Sequence, residues 1–159
     1  MTTYLLIGSN MGRKETYLMA ARQAIGVHIG FIKAVSALYR TAAWGNEQQD
    51  DFVNQALAVE TRLSPPALLT VIHSIEQQIG RRRKEKWEPR MIDIDILLYE
   101  DICMQTPDLT IPHPHLPYRR FALTPLCDIA PQQQHPQLQQ TIADLLRHCP
   151  DTLPVQKIY

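Results

Sequence analysis

The chain has 159 residues, of which 45% are hydrophobic, and its 16 Lys and Arg residues balance its 16 Asp and Glu residues. This length suits one compact domain with a real core, so we expect a single domain over residues 1–159. The net charge of zero excludes a global field that would draw the chain to nucleic acid or to an anionic membrane, and charge-driven binding must therefore be local.

The cysteines and the N-terminus both favour a cytoplasmic protein. Cys103, Cys127 and Cys149 are odd in number and lack a C-x-x-C spacing, so they fit neither a disulfide framework nor a common zinc site. Residues 1–7 carry no basic segment, and their apolar run is far shorter than the ~18 residues of a membrane span. We therefore expect a cytoplasmic chain with no export signal or membrane anchor.

The first half of the chain predicts a strand, a helix and two further strands. Residues 4–7 form an apolar run, and residues 14–25 mix Ala, Leu and Met with charges in a helical manner. Residues 31–39 and 52–63 are rich in β-formers and are separated by a polar loop. Gly8-Ser9-Asn10 resembles a phosphate-binding turn only loosely, because it lacks the Lys-Ser/Thr end of a P-loop, and a structural turn is the alternative.

A second helix has clear signals at both ends. Ser64 is placed to cap its N-terminus, Pro65 and Pro66 occupy the first turn, and Gly80 ends it. Intervals of four, three and four residues put its apolar side chains on one face: Leu68, Ile72, Ile75 and Ile79.

A strand at residues 92–99 follows this helix. Prolines then leave room only for short extended pieces and for helices near residues 121–128 and 141–147. The order strand, helix, strand, strand, helix, strand is the split β-α-β-β-α-β plan. The predicted fold class is therefore α+β, a ferredoxin-like sheet with helices on one face and C-terminal additions. Because that plan hosts many unrelated activities, the function must be read from particular residues.

Two carboxylates stand at the start of the last predicted strand. Strand side chains alternate, so Asp93 and Asp95 share one face about 6.6 Å apart along the strand. The apolar residues are expected on the other face: Ile94, Ile96 and Leu98. A divalent cation would relieve the repulsion between the carboxylates, and hard oxygen ligands suit Mg²⁺, two of which can clamp a displacement reaction. The alternative is structural, with Asp93 capping the strand and Asp95 paired with an arginine.

A basic run lies directly before these aspartates. Residues 81–90 hold six cations, which alone could be a solvated face. Beside metal-binding carboxylates, however, guanidinium and ammonium groups are what a nucleotide triphosphate needs. Gly80 at the root of the run suits a lid over residues 81–88 that closes on the nucleotide. Arg82 and Arg83 are adjacent, and either could make the phosphate contact.

Two further clusters fit a flat heterocycle and a phosphate. A ring could stack on Phe52 while the Asn54 amide both donates and accepts hydrogen bonds, although each residue could equally belong to core or turn. His113 and Arg119 fit phosphate contacts. A zinc site at His113 and His115 is weakly supported, because a third ligand is missing.

In chain order, six segments resemble one known family. They are Gly8-Ser9-Asn10, Tyr39-Arg40-Thr41, Phe52-Val53-Asn54-Gln55-Ala56, and residues 76–83, 87–97 and 111–121. The most specific part is Pro-Arg-Met-Ile-Asp-Ile-Asp-Ile-Leu at residues 89–97, followed by Ile-Pro-His-Pro at residues 111–114. These motifs resemble the 6-hydroxymethyl-7,8-dihydropterin pyrophosphokinases of folate biosynthesis, and the resemblance covers almost the whole chain.

The resemblance implies transfer of a pyrophosphoryl group from ATP to the hydroxymethyl oxygen of the dihydropterin, leaving AMP, in a monomer that needs two Mg²⁺ ions. It implies the metal ligands Asp93 and Asp95, and catalytic roles for these two and for Arg81, Arg83 and Arg90. The implied ATP-binding positions are Glu76, Arg81, Arg83, Lys86, Trp87, Arg90, Ile96, His113 and Arg119. The implied pterin pocket is Thr41, Ala42, Trp44, Phe52, Asn54, Trp87 and Phe121, with Phe52 and Phe121 sandwiching the ring.

Three positions depart from the family pattern: Ala42, Lys86 and Glu88. Lys86 supplies a point charge where an arginine fork is common, yet no departure removes a metal ligand, so we expect an active enzyme. An RNA-binding module is the alternative from another class, because RNA-recognition domains share the ferredoxin-like plan. Against it, the two aspartates would repel phosphates unless a metal intervened. A relative that binds ATP or pterin without catalysis is the third possibility, and an activity assay separates it.

Overall fold

The computed structural model describes residues 1–42, 50–80 and 91–158 of the chain. The larger elements in chain order are β1 (Thr2–Ser9), α1 (Lys14–His28), β2 (Gly30–Val35), β3 (Tyr39–Thr41), β4 (Phe52–Thr61), α2 (Pro65–Ile79) and β5 (Asp93–Tyr99). They are followed by β6 (Met104–Gln105), β7 (Thr110–Ile111), α3 (Arg120–Ile129), α4 (Ile142–Arg147) and β8 (Val155–Lys157).

The main sheet is antiparallel, with the strand order β5-β1-β4-β3-β8. Strand β2 pairs with the part of β4 beyond β3, so β2 and β3 act as one interrupted strand along the same edge of β4. Strands β1 and β4 are thus central, and β5 is an edge strand. The predicted α+β ferredoxin-like fold is confirmed, with β6 and β7 forming a separate two-stranded sheet.

Helices α1 and α2 cover one face of the sheet. The helix α2 has the predicted ends, since Ser64 Oγ accepts the N–H of Ala67 at 3.3 Å and Gly80 is the C-cap. The buried residues of the two helices are Leu18, Ala21, Ile25, Leu68, Ile72 and Ile75. They pack on apolar side chains of β1, β4 and β5 in one continuous cluster. Full burial of each large side chain contributes roughly 1.5–3 kcal/mol, so this layer is a principal source of stability.

The C-terminal additions cover the opposite face. A second cluster joins the sheet to α3 and α4, and its large buried members are Leu6, Leu97, Leu98, Leu116, Leu123, Leu126, Ile142 and Leu145. The predicted sheet with helices on one face therefore describes α1 and α2 only, because α3 and α4 form a further layer. Side chains of the sheet on this second face therefore point towards the α3 and α4 layer.

One detail of the predicted strand at residues 92–99 is wrong. Ile94 and Ile96 face α1 and α2 as expected, but Leu98 belongs to the cluster under α3. The register of β1 with β5 shifts between Tyr4 and Leu5, so Leu97 is an extra residue in β5. Such a β-bulge reverses the alternation beyond it, and sequence spacing alone does not reveal it.

The turn predicted at Gly8-Ser9-Asn10 is also displaced. Strand β1 continues to Ser9, because Gly8 is paired on both sides, with Asn54 of β4 and with Asp93 of β5. A Cβ atom at Gly8 would collide with Oδ1 of Asn54, so this position accepts only glycine without a shift of that amide. Pairing in a central strand has overridden the local preference for a turn.

The structure describes all three cysteines and the lengths of the helices. Cys103, Cys127 and Cys149 are free thiols, so no disulfide links any two of them. Within residues 1–42, 50–80 and 91–158, no helix is long and apolar enough to span a membrane. The longest of these helices, α1 and α2, have 15 residues each.

Candidate active site

One row of paired residues crosses the sheet on the face covered by α3. Asp93 of β5 pairs with Gly8 of β1, Gly8 pairs with Asn54 of β4, and Asn54 pairs with Tyr39 of β3. Directly paired residues point to the same side of a sheet, so these side chains share one face. Neighbouring strands lie about 4.8 Å apart, which puts the backbones of Asp93 and Asn54 about 10 Å from each other.

The two aspartates lie together on this face, as the alternation predicts. Both are half-buried, and Asp95 pairs with Leu6, which belongs to the layer under α3. From the other side of the sheet, Glu76 of α2 accepts the N–H of Ile94 through Oε2 at 2.9 Å. This bond fixes the backbone between the two carboxylates. We call Asp93 and Asp95 the acidic pair.

An open cleft of about 420 Å³ runs along the outer edge of β5. Its lining residues on α2 are Leu69, His73 and Glu76, its floor is residues 93–96, and its far wall is residues 106–110 with His113 and Pro114. A volume of this size lies within the ~300–1,000 Å³ of typical small-molecule sites. We call it the β5 cleft. The acidic pair forms part of this floor and is therefore within reach of a bound ligand.

Several cleft residues were not predicted from the sequence. His73 belongs to no motif, and the prolines after residue 99 predicted only short extended pieces around residues 106–110. The hairpin turn is held by Thr106, whose N–H donates to Leu109 O at 2.8 Å and whose Oγ1 accepts the N–H of Leu109 at 3.0 Å. The Thr-Pro-Asp composition indicates a turn, but only tertiary packing brings it beside β5.

The His113 ring enters the β5 cleft as a neutral group. Burial, followed by the positive charge of Arg119 and the neighbouring His115, lowers the pKa of His113 to about 4. Its Nδ1 accepts the N–H of His115 at 3.2 Å, so the ring proton belongs on Nε2. At neutral pH His113 therefore offers an N–H donor rather than a cation, which suits a hydrogen bond to a phosphate oxygen.

The pKa of His113 predicts an acid-sensitive fold. Because the folded state disfavours the protonated ring, the stability that His113 contributes is full above about pH 6.5 and falls towards pH 4. The free energy of unfolding should decline by at most about 1.4 kcal/mol per pH unit from this group. Urea melts across that range should give a shallower decline for His113→Asn than for the unmodified chain.

Two other histidines help to interpret the urea melts. Burial also lowers the pKa of His135, so the variant should retain some acid sensitivity. The matched control His28→Asn alters an exposed ring at the end of α1 and should follow the unmodified chain. An His113→Asn variant that loses as much stability on acidification as the unmodified chain would contradict this account.

Arg119 and Phe121 lie at the start of α3, and the Arg119 charge is close enough to Asp95 to interact with it. The Arg119 guanidinium lies 5.6 Å from the centroid of the Phe121 ring. Burial lowers the pKa of Arg119, and the negative charge of Asp95 opposes that shift. An arginine stays protonated in proteins, so the first turn of α3 presents a fixed positive charge next to Asp95.

Asn54 forms the centre of a second group of predicted residues. Its Nδ2 donates to Thr41 Oγ1 at 3.2 Å, and both residues are only 4% exposed. The opposite end of the amide, Oδ1, lies over Gly8. By register, Phe52 lies on the same face, and Phe121 packs on the layer under α3. We call Thr41, Phe52, Asn54 and Phe121 the Asn54 cluster; its buried amide has a fixed orientation.

Tyr39 joins this part of the sheet to α3. Its hydroxyl donates to the Asp128 carboxylate at 2.8 Å, and Asp128 Oδ2 also accepts the N–H of Ala37 at 3.2 Å. Burial first, and then the bond to Asp128, raise the pKa of Tyr39 to about 12, so the phenol stays a neutral donor. This contact sets the position of β3, which carries Thr41.

Part of the predicted site lies outside the described residues. These positions are Trp44, Arg81, Arg82, Arg83, Lys86, Trp87, Glu88 and Arg90, and the lid predicted over residues 81–88 lies there too. Ala42 is described, half-buried and directly after β3. Ile96 is buried against α1 and α2, and it also contributes to the floor of the β5 cleft.

The chemistry of the available ligands suits magnesium better than zinc. Mg²⁺ typically takes one or two protein carboxylates and completes its octahedron with water and phosphate oxygens, which fits the acidic pair beside a cleft. Zinc needs three or four protein ligands, and no group of three His, Cys, Asp or Glu side chains that could hold a metal occurs in the described part of the chain. The His113 and His115 rings, 5.9 Å apart, have no such third ligand among the described residues.

The fold, the acidic pair and the β5 cleft together indicate an enzyme of the phosphotransferase class. The family model for 7,8-dihydro-6-hydroxymethylpterin-pyrophosphokinase matches residues 4–131, and the chain belongs to that family. The sequence motifs had indicated the same family.

Named relatives agree with this assignment. The 2-amino-4-hydroxy-6-hydroxymethyldihydropteridine pyrophosphokinase of Aquifex aeolicus is 42% identical over 135 residues, which cover 85% of this chain and 84% of that protein. The enzyme of that name from Bacillus subtilis is 39% identical over 81% of this chain and 78% of its own length. The bifunctional protein FolKE of Lactococcus lactis is 41% identical over 91% of this chain, which spans only 42% of that protein.

A solved structure supports the fold independently. The wild-type HPPK-DHPS of Plasmodium falciparum superposes with a TM-score of 0.74 over 92% of this chain, at 18% sequence identity. This chain spans 44% of that larger protein. At such low identity the likeness shows the fold alone.

Proposed function

We propose that this chain transfers pyrophosphate from ATP to 6-hydroxymethyl-7,8-dihydropterin, giving AMP and the pterin diphosphate in folate biosynthesis. Membership of the family and the names of the relatives support this reaction. The structural observation that carries the proposal is the row from Asp93 through Gly8 to Asn54. It puts the acidic pair between a nucleotide-sized cleft and a buried amide.

ATP is proposed to bind in the β5 cleft. Glu76 and Ile96 line the cleft beside the acidic pair, and the neutral His113 offers its Nε2 proton to a phosphate oxygen. Arg119 supplies a positive charge next to Asp95, where negative charge develops on the transferred group. Each of these groups positions or neutralises phosphate, which is what such a transfer chiefly asks of a protein.

Asp93 and Asp95 are the proposed ligands of Mg²⁺, and we propose two ions. Bound there, magnesium would neutralise phosphate charge and hold the attacking and leaving oxygens in place. Glu76 supports this role indirectly, because its bond to the N–H of Ile94 holds the backbone between the two carboxylates. The bond thus restrains β5 at the point where the metal would bind.

The dihydropterin is proposed to bind at the Asn54 cluster. The Asn54 amide has Nδ2 bonded to Thr41 and Oδ1 over Gly8, and it would hydrogen-bond the edge of the ring, while Phe52 and Phe121 would offer aromatic faces for stacking. In the reaction the hydroxymethyl oxygen bonds to the β-phosphorus of ATP and releases its proton to water. The bond from that phosphorus to the α–β bridging oxygen breaks, and AMP leaves with the bridging oxygen. The protein's contribution is to align these atoms.

Other proposed contacts depend on the sequence motifs alone. The proposed catalytic arginines are Arg81, Arg83 and Arg90. The proposed further ATP contacts are Lys86 and Trp87, and the further pterin contacts are Ala42, Trp44 and Trp87. The basic residues would add positive charge for binding the triphosphate.

The direct test is release of AMP. Purified chain incubated with ATP, Mg²⁺ and 6-hydroxymethyl-7,8-dihydropterin should form one AMP per pterin consumed. Omitting the pterin should reduce AMP to background, and chelating the metal should do the same. Equal AMP with and without pterin would refute the proposed function, and full activity in chelator would refute the role of magnesium.

A further inference from the structure

The last residues of the chain contact two separate parts of the proposed pterin site. Residues 149–158, which we call the C-terminal strap, lie beyond residues 4–131, the part that the family model matches. They pass from the start of α3, which carries Phe121, to β3, which carries Thr41. The strap therefore joins two sides of the Asn54 cluster that are about 80 residues apart in sequence.

Asp151 holds the first turn of α3. The N-cap residue Arg119 makes no side-chain capping bond, and instead Asp151 Oδ2 accepts the N–H of Arg120 at 3.1 Å. A carboxylate at this position satisfies one of the free N–H groups and interacts favourably with the helix dipole. Phe121 is the next residue in α3, so this contact sets where the Phe121 side chain begins.

The side chain of Arg120 also binds the strap. Its Nε donates to the backbone oxygen of Asp151 at 2.9 Å, and its Nη2 donates to the backbone oxygen of Cys149 at 3.3 Å. The second carboxylate oxygen of Asp151 accepts the N–H of Leu153 at 3.0 Å, which shapes the strap itself. Several hydrogen bonds thus meet at one aspartate, and charge-assisted bonds are stronger than neutral ones.

The far end of the strap pairs with β3. Strand β8 is antiparallel to β3, with Thr41 opposite Val155 and Tyr39 opposite Lys157. The N–H of Ile158 also donates to Leu38 O at 2.8 Å. Strand β3 has only three residues, so a partner on each side restrains it far more than β4 could alone.

We propose that the C-terminal strap positions the pterin-binding residues, with Asp151 as its principal positioning residue. This inference rests on the proposed function for its kinetic consequence. The hydrogen bonds of the strap described above go to α3 and to the segment that carries β3, so its loss should weaken pterin binding without disabling the transfer step. Phe121 on α3 and Thr41 on β3 are the side chains through which it acts.

The test compares Asp151→Ala with Asp144→Ala. Asp144 lies on the exposed face of α4, where its Oδ1 accepts a hydrogen bond from Nη1 of Arg147 at 2.7 Å. Asp151→Ala should raise KM for the pterin about tenfold and leave kcat within about twofold, whereas Asp144→Ala should change neither. Asp151→Asn keeps one acceptor oxygen and should fall between them. Equal KM values for the two alanine variants would overturn the proposal.

Two further measurements keep the strap separable from the proposed function. Hydrogen exchange on the free protein should show a faster exchange rate for the Arg120 amide in Asp151→Ala than in the unmodified chain, whether or not AMP is ever formed. An unchanged rate would overturn the proposed role of the strap. A chain shortened to residues 1–154 retains Asp151 but lacks β8. It should also show a raised KM for the pterin, through the β3 side, and a KM equal to that of the full chain would contradict that half of the proposal.

Discussion

Asp95→Asn should lower kcat for AMP formation by about a thousandfold or more, because the substitution removes a proposed metal-binding charge from the transition state. The asparagine has the same shape, and Asp95 is only half-buried, so the fold should persist. The fixed positive charge of Arg119 would lose its negative neighbour, which adds to the loss of activity. AMP formation at saturating ATP, Mg²⁺ and pterin measures the effect, and a thermal melt shows that the variant is folded.

Asp101→Asn is the matched control for this prediction. Asp101 is exposed just after β5, so the substitution removes the same charge close to the same strand without touching the cleft. Its kcat should equal that of the unmodified chain. An Asp95→Asn variant with the kcat of this control would remove Asp95 from the reaction.

Asn54→Leu should lower kcat/KM for the pterin by about a hundredfold or more, because a ligand donor or acceptor would meet a methyl group in place of the amide. The side chain is nearly the same size, so the main change is chemical. Thr41 would also lose the hydrogen bond that Nδ2 donates to it. Steady-state rates at varied pterin measure the loss, and KM for ATP should change little because the β5 cleft is untouched.

The neighbouring amide is the control. Gln55 is buried like Asn54 but points to the opposite face of β4, where its Nε2 donates to Ser36 O at 2.9 Å. Gln55→Leu therefore loses a buried hydrogen bond and should cost stability, yet KM for the pterin should stay within about twofold. If both leucine variants raise that KM equally, the effect comes from damage to β4 and not from recognition by Asn54.

The elements with strong local signals could be predicted from the sequence. For α2, a serine cap, two prolines in the first turn, one apolar stripe and a terminal glycine all agreed, and the helix runs over Pro65–Ile79. The alternation of side chains along a strand also predicted that Asp93 and Asp95 share one face of β5. The predictions that were wrong concern positions whose structure depends on pairing with other strands. Pairing on both sides extends β1 through Gly8, and the bulge at Leu97 moves the Leu98 side chain to the opposite face.

The remaining parts of the site depend on contacts that are distant in sequence. The Arg120 N–H reaches Asp151 across 31 residues, and β6, β7 and β8 have only two or three residues each, too few to show a period. His113 could be predicted as a phosphate contact from its motif. Its neutral state, however, arises from burial and from Arg119, which only the folded chain brings together.

The central claim is that a pyrophosphoryl group, not a single phosphoryl group, moves from ATP to the pterin. The most direct measurement is ³¹P NMR of the complete reaction with the purified chain. The account predicts AMP and a pterin diphosphate in equal amounts, with two coupled phosphorus signals on the pterin product. ADP together with a pterin monophosphate, or ATP left intact beside unmodified pterin, would contradict it.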